Sequence, residues 1–394
     1  MKDVVIASCK RTPVGAFLGT LSTVPAKELG AIAIKSALET AGVKPEQVEQ
    51  CVMGNVLMGG QGQAPGRQAA IAAGLPPEVP CMTINKVCGS GLKAVQLIAN
   101  EIALGNIEIG VGGGMENMSL APFILPKART GYRMSMPKAE MIDMMVYDGL
   151  WNPYDQQHMG NFADLCAKEY GFKREELDEF GASSFKLALE AQEKGLLKDE
   201  IVPVEVPGRK GKITIVDTDE NPSKVNFDKI PTLRPVFNKD GVTTAANASS
   251  INDGGAAAVL LSAEKAAELG IKPEARILSY AEAAQEPQWF TTSPVKASKK
   301  ALEKAGLTID DIDLFEINEA FAVVTLYAMR ELGVPREKVN VHGGAIAVGH
   351  PIGASGARLL ATALNAMKKR DAKRCLITLC IGGGEANAMI IERV

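Results

Sequence analysis

The chain repeats itself. Residues 36–55 read SALETAGVKPEQVEQCVMGN and residues 300–319 read KALEKAGLTIDDIDLFEINE, aligned without a gap. They share Ala37/Ala301, Leu38/Leu302, Glu39/Glu303, Ala41/Ala305 and Gly42/Gly306. CGSG at 88–91 pairs with GASG at 353–356, and VGGGMENM at 111–118 with IGGGEANAM at 381–389. Three matches in one order predict two similar halves. Within the first half, 3–8 reads as a buried strand, 31–41 as a helix stopped by Gly42, 48–53 as a strand and 65–74 as a short helix. A helix from Leu92 to about Leu104 and a strand over 107–111 follow. Strands alternating with helices predict a parallel sheet covered on both faces.

Residues 117–242 break this pattern. Methionines cluster between 134 and 145, and two helical stretches within 160–194 divide near Gly171. Apolar periodicity of its own marks this stretch as an inserted loop domain and not a linker. The expected division is 1–117 for the first part of the N-terminal half, 118–242 for the insertion, 243–270 for the return to the first half and 271–394 for the C-terminal half.

Composition narrows the function. A net charge of −3 and 5% aromatic residues argue against a nucleic-acid surface. Seven cysteines without a C-x-x-C pair point to a reducing compartment, and the expected setting is the cytosol. Cys375 and Cys380 are five apart on one strand, face opposite sides and cannot share a metal as a strand pair; no metal site is expected. The first residues run straight into a strand, so neither a leader nor a membrane span is expected.

The stretch NKVCGSG, 85–91, places Cys88 where a strand turns into a helix. Free N–H groups and the positive end of the helix dipole favour a thiolate there, and the glycines admit close approach. Cys88 is therefore a candidate nucleophile; the alternative is an inert buried cysteine. Gly89 to Ala94 also spells G-x-G-x-x-A, which keeps nicotinamide binding open as a competing reading. His350, in VHGGAIAVGHPIGASG, sits in a glycine-rich turn and can take a proton from a cysteine beside it. His342 in the same stretch reads as structural. Cys380 ends the strand LITLCIGGG, where it can act as a base towards a carbon acid while the glycine N–H groups hold an oxyanion. Asn318, at the end of an apolar run, can polarise a carbonyl or serve as a helix cap.

Together NKVCGSG, NEAF, GGAIAVGHPIGASG and CIGGG, in this order and spacing, resemble the thiolases over essentially the whole chain, most closely the biosynthetic type. The resemblance implies duplicated α/β halves in a layered α-β-α-β-α sandwich with an inserted loop domain. It implies a reversible Claisen condensation of two acetyl-CoA to acetoacetyl-CoA and CoA, with these thioesters as substrates and no further cofactor. The alternative within the family is degradation of longer 3-ketoacyl-CoA. A non-catalytic CoA-binding scaffold would need none of Cys88, His350 and Cys380.

In the roles so implied, Cys88 becomes acylated, and His350 activates it and helps hold the thioester oxygen with a water positioned by Asn318. Cys380 moves the α-proton, and the N–H groups of Cys88 and Gly382 hold the acyl oxygen. His158, Met159 and Ser249 meet the pantetheine arm; Phe237, Leu150, Ala320 and Phe321 form apolar walls. Lys224, beside Ser223 where relatives often carry arginine, belongs to the CoA site, and Arg209 and Lys210 lie near the phosphates or form a solvated basic turn. The chain departs from relatives at His342, where asparagine is usual, and at 290–294, FTTSP, where many acetyl-specific relatives have M-G-x-G-P. A bulkier wall there argues for short acyl groups. The resemblance also implies a homotetramer built as a dimer of dimers.

Overall fold

The computed structural model describes residues 1–133 and 138–394. Its main strands are β1 (Val4–Arg11), β2 (Gln50–Gly54), β3 (Cys81–Ile84), β4 (Ile109–Asn117), β5 (Asn252–Ser262), β6 (Ala275–Ala284), β7 (Leu314–Ile317), β8 (Arg374–Ile381) and β9 (Glu385–Arg393). The helices that cover them are α1 (Ala26–Ala41), α2 (Pro65–Ala72), α3 (Ser90–Ala103), α6 (Ser293–Ala305), α7 (Ala322–Leu332) and α8 (Ser355–Arg370). Between β4 and β5 the chain leaves the sheet and forms α4 (Met159–Tyr170) and α5 (Arg174–Glu193).

The strand order is β7-β8-β9-β6-β1-β5-β4-β2-β3. The run β2-β4-β5-β1 is matched by β7-β8-β9-β6, and only two residue pairs, Val5/Arg276 and Ile6/Ala275, join the two runs between β1 and β6. The halves are thus two sheets touching at one corner. Side-chain alternation places the helices. Val5, Ala7, Cys51 and Met53 pack outward against Ala33, Ile34 and Leu38 of α1. Ile6, Val52, Ala258 and Leu260 face the other way, onto Leu92, Val95 and Ile98 of α3 and Leu359, Leu360 and Leu364 of α8. The second sheet reaches the same middle layer through Cys375, Ile377, Leu379 and Ile391, and turns Leu376, Ala388 and Ile390 towards Val295, Ala301 and Leu302 of α6. The result is five layers, helix-sheet-helix-sheet-helix, as the thiolase resemblance implied.

Two sequence expectations are corrected. The sheet is mixed, not parallel: β2, β3 and β4 run parallel, as do β7 and β8, while β1, β5, β6 and β9 pair antiparallel. The cause is the connections. A three-glycine turn joins β8 to β9, too short to cross over a face, and β5 returns from the insertion pointing back along β4. The glycine match at 111 and 381 is also not a structural equivalence. Gly112 to Gly114 lie inside β4, whereas Gly382 to Gly384 form the turn after β8. The other two matches coincide with equivalent elements. Gly42 and Gly306 both cap their helices in the left-handed conformation, at φ 69° and 64°. CGSG and GASG both open a middle-layer helix, α3 and α8.

The catalytic ends of the sheet follow from this topology. Cys88, Asn318 and Gly382 each lie just past the carboxyl end of a parallel strand, β3, β7 and β8. That is where ligands sit in α/β sheets. The insertion closes this end: Phe162, Ala163 and Cys166 of α4 and Phe180 and Ala188 of α5 pack on Phe290, Phe321 and Ile346.

Candidate active site

Cys88 stands on a strained turn. Val87 has φ 45°, and a β-branched residue in that region costs about 1–2 kcal/mol. Three contacts hold it there. Asn85 Oδ1 accepts from the Val87 N–H at 2.9 Å, Ser90 Oγ accepts from the Lys86 N–H at 2.8 Å, and the Ser90 hydroxyl donates to the Val87 carbonyl at 2.7 Å. The turn lifts the Cys88 sulfur out of the strand, where it meets the backbone N–H of Gly382 and its own N–H. Those two donors belong to different halves, and they mark a place for a developing oxyanion.

Burial pushes the Cys88 thiol up to about 11, and the two N–H groups pull the other way without cancelling it. The helix terminus alone, as read from sequence, favoured a thiolate; in the folded site desolvation is the larger effect. Cys380 is pushed well up by burial and by its neighbour Cys88. The resting thiols are therefore protonated and need a base at the moment of reaction.

His350 supplies one. The Ser355 hydroxyl donates to the Pro351 carbonyl at 2.9 Å, so it accepts from His350 Nδ1, 2.6 Å away. This fixes the tautomer: Nδ1 carries the proton and Nε2 keeps its lone pair. Asn318 Nδ2 lies 3.4 Å from Nε2, and Asn318 Oδ1 accepts from Arg358 at 3.5 Å. Burial, with the Arg358 guanidinium adding to it, lowers His350 to about 3, so the ring is a neutral base at rest.

One cavity of about 380 Å³ gathers the predicted residues. Cys88, His350, Cys380 and Gly382 line it together with Leu150, His158, Met159, Phe237, Ser249, Ala320 and Phe321. His158 stacks on Phe237 at 4.6 Å between ring centres and accepts from the Gly160 N–H through Nδ1 at 3.1 Å. A Cβ on Gly160 would lie 2.2 Å from the Phe237 ring, so that stack requires glycine there. Phe321 meets Phe237 and Phe290 edge-on, at 6.1 and 6.2 Å. Asn318 does not line the cavity; it backs His350. Lys224 lies in an adjoining cavity of about 290 Å³ and pairs with Glu220 at 2.6 Å. Ala245 and Ser250 border both cavities. Lys210 is exposed in a turn at φ 58°, while the Arg209 side chain lies outside the described residues.

Several contributors escaped the sequence reading. Val87, Met118 and Ile352 line the cavity, and Ser355 and Arg358 orient the site from behind. Glu116 is buried and accepts four N–H donors, from Asn55, Val56, Leu57 and Gly353. It pins the turn carrying His350 to β4; burial pushes it up to about 7 against those donors. The signal for Ser355 was its place five residues after His350; nothing in the sequence marked Glu116. The G-x-G-x-x-A reading fails on space. A Cβ on Gly91 would meet Ala357 N at 2.9 Å and Gly353 O at 3.0 Å, so α8 occupies the ground a pyrophosphate would need.

Among the described residues no group of three or more His, Cys, Asp or Glu side chains is placed to hold a metal, and no helix is long and apolar enough to cross a membrane. Comparison with known proteins agrees with the geometry. Residues 4–264 match the family "Thiolase, N-terminal domain" and residues 271–393 match "Thiolase, C-terminal domain". The chain is 55% identical over 394 residues to "Acetyl-CoA acetyltransferase" of Cupriavidus necator, covering 100% of both chains. It is 53% identical over 393 residues to the protein of that name in Syntrophomonas wolfei, covering 99% of each. With "Acetyl-CoA acetyltransferase 2" of Arabidopsis thaliana it shares 49% over 393 residues, covering 99% of this chain and 97% of the relative. Both halves, the site at their junction and the full-length relatives lead to one assignment: this chain belongs to the thiolase family.

Proposed function

We propose that the protein catalyses the reversible condensation of two acetyl-CoA to acetoacetyl-CoA and CoA. The observation that carries this is the meeting of two cysteines, a neutral histidine and a Gly382 N–H in one cavity. A carbon-carbon bond next to a thioester needs a nucleophile to hold one acyl group, a second group to move the α-proton and donors for the enolate.

The resting proton states give a balanced sequence. His350 Nε2 takes the Cys88 proton as the sulfur attacks the first thioester. The leaving CoA thiolate takes the proton of Cys380, which leaves acetyl-Cys88, a protonated His350 and a Cys380 thiolate. That thiolate removes an α-proton from the second acetyl-CoA. The resulting carbanion attacks the acetyl carbonyl, the bond to Cys88 breaks, and His350 returns its proton to Cys88. The thioester oxygen is held by protonated His350 and a water positioned by Asn318, and the acyl oxygen by the N–H groups of Cys88 and Gly382. His158, Met159 and Ser249 take the pantetheine arm, with Phe237, Leu150, Ala320 and Phe321 as walls; Lys224 serves the nucleotide end. We assign no bound cofactor, a cytoplasmic setting, a homotetramer, and the four-segment division with an inserted domain over 118–242.

Labelled acetyl-CoA alone should leave an acetyl group on Cys88, found by peptide mapping. In Cys380→Ala the exchange of acetyl-CoA α-protons with heavy water should fall by about 10²-fold or more. Label on any other residue overturns the nucleophile assignment. Thiolysis rates across 3-ketoacyl-CoA of rising length decide between acetoacetyl-CoA and longer chains. Light scattering on the purified protein tests the tetramer.

A further inference from the structure

In the stretch NEAF, 318–321, three residues have a place at the site: Asn318 backs His350, and Ala320 and Phe321 line the cavity. Glu319 stands between them, is fully buried and does not line the cavity. Its carboxylate is met by three donors. Oε1 accepts from the Asn340 amide at 2.8 Å, and Oε2 accepts from the Ser184 hydroxyl at 2.6 Å and from the Ile346 N–H at 3.2 Å. Such a group is costly to disturb, because every donor loses its partner with it.

Each contact reaches an element that bears on the chemistry. Asn340, left-handed at φ 46°, also accepts from the Ile317 N–H and donates to the Ile317 carbonyl, both at 2.8 Å. It thereby grips the end of β7 directly before Asn318. Ile346 lies in the helical turn Ala345–Val348, which runs into Gly349 and His350. Ser184 belongs to α5 of the insertion, and its hydroxyl oxygen accepts from the Gly344 N–H at 3.0 Å. The fit is close. A Cβ on Gly344 would lie 2.2 Å from the Glu319 carboxyl carbon, and one on Gly343 would lie 2.7 Å from the Ser184 carbonyl oxygen. Glu319 thus joins the insertion to both segments that carry the Asn318–His350 pair. His350 has firm ties of its own, through its N–H to Asn252 at 2.9 Å and through Nδ1 to Ser355 at 2.6 Å. The contacts of the Asn318 side chain are long, 3.4 Å to His350 Nε2 and 3.5 Å from Arg358. Loosening Glu319 therefore moves Asn318 more than the imidazole.

We propose that Glu319 is a positioning residue for the enolate-forming step: by tying together α5, the end of β7 and the turn before His350, it keeps Asn318 where its water meets the thioester oxygen. This rests on the roles of Asn318 and His350 in the proposed condensation. The site for the acyl oxygen is built elsewhere. The Cys88 N–H stands on the turn held by Asn85 and Ser90, and the Gly382 N–H follows β8. The two half-reactions therefore separate. Exchange of acetyl-CoA α-protons draws on the thioester-oxygen site, whereas acetylation of Cys88 draws on the acyl-oxygen site with His350 as base. Glu319→Gln keeps the size of the side chain but turns one oxygen into an amide N–H. That N–H faces the Asn340 donor in one orientation and the Ile346 N–H in the other, so either orientation breaks the tie.

The test measures two rates in the full-length protein: exchange of acetyl-CoA α-protons with heavy water, and acetylation of Cys88 by labelled acetyl-CoA. Glu319→Gln should exchange about 10-fold more slowly, while Cys88 is acetylated within about 2-fold of the wild-type rate and the KM for acetyl-CoA hardly moves. Ser184→Ala removes one donor on the insertion, away from the reacting atoms, and should show the same split at about 3-fold. The double variant should lose no more exchange than Glu319→Gln, because both changes act on one network. Equal losses in the two rates are what a merely less stable fold gives, and they overturn the proposal. Exchange at the wild-type rate in Glu319→Gln overturns it as well. If Glu319→Gln does not fold, Ser184→Ala decides by the same two criteria. A wild type that exchanges no α-protons overturns the condensation itself, and this proposal with it, before any variant is compared.

Discussion

His350 shows how one buried residue sets both a reaction and a stability profile. Its folded value lies near 3 against 6.5 when exposed, because burial and Arg358 disfavour the imidazolium. Between those values the unfolded chain binds a proton that the folded chain refuses. Stability from this residue is therefore complete above about pH 6.5 and is lost as pH falls towards 3. Replacing it with a group that does not titrate removes that loss. His350→Gln should gain on the wild type as pH drops from 7 to 5, by about 2 kcal/mol in the difference between their denaturation curves. A gap independent of pH would show that the ring is not held neutral. The same variant should lose about 10²–10⁴-fold in kcat for thiolysis. The sequence disclosed that Cys88, His350 and Cys380 were chemical, because each sits at a glycine-rich turn. It could not disclose their proton states, since desolvation depends on Arg358, Ser355 and the cavity walls, which come from distant segments.

The helices α3 and α8 meet at their first turns, and their glycines are the contact. A Cβ on Gly356 would lie 2.3 Å from Leu92 N, which is backbone and cannot step aside. Gly356→Ala should therefore cost about 3 kcal/mol or more, read as a lowered denaturation midpoint, and should reduce kcat by moving the His350 turn. Glu116 acts on that turn from the other side. Glu116→Gln would set an amide N–H against donors, leaving a buried group unpaired at about 1–3 kcal/mol. Its midpoint should fall, and kcat should fall with KM nearly unchanged; a variant as active as the wild type would remove Glu116 from the positioning of His350. CGSG and GASG were legible as a repeat because the same crossing imposes small residues on both partners. The glycine match at 111 and 381 misled for the opposite reason. Gly112 yields to Val95 of α3, whose Cα would lie 2.7 Å from an added Cβ, whereas Gly383 and Gly384 serve a turn at φ 93° and 89°. One residue type answered two unrelated demands.

At the scale of the molecule, the duplication was visible in sequence, but the coupling of the halves to the insertion was not. Alternating strands and helices fixed the elements, while strand direction depended on connections that periodicity does not encode. The coupling is a buried charge cluster. Arg11, at the end of β1, donates through Nε to Glu200 at 2.6 Å and through both terminal nitrogens to Asp219 at 2.7 and 2.9 Å. Glu200 also accepts from Thr362 and Asn365 of α8, and Asp219 from the Val14 N–H. Three segments far apart in sequence thus converge on one guanidinium that is 1% exposed. Two carboxylates share it, so its removal strands both in a dry interior. Arg11→Met keeps much of the volume and deletes the charge; breaking such a group from one side costs about 3–5 kcal/mol. Denaturant titration should show a midpoint shift of that size. Deleting the acceptors as well, in Arg11→Met with Glu200→Gln and Asp219→Asn, should recover part of the loss, because no uncompensated charge then remains. A triple variant no more stable than Arg11→Met would mean that packing around the guanidinium, and not its charge, ties the insertion to the two halves.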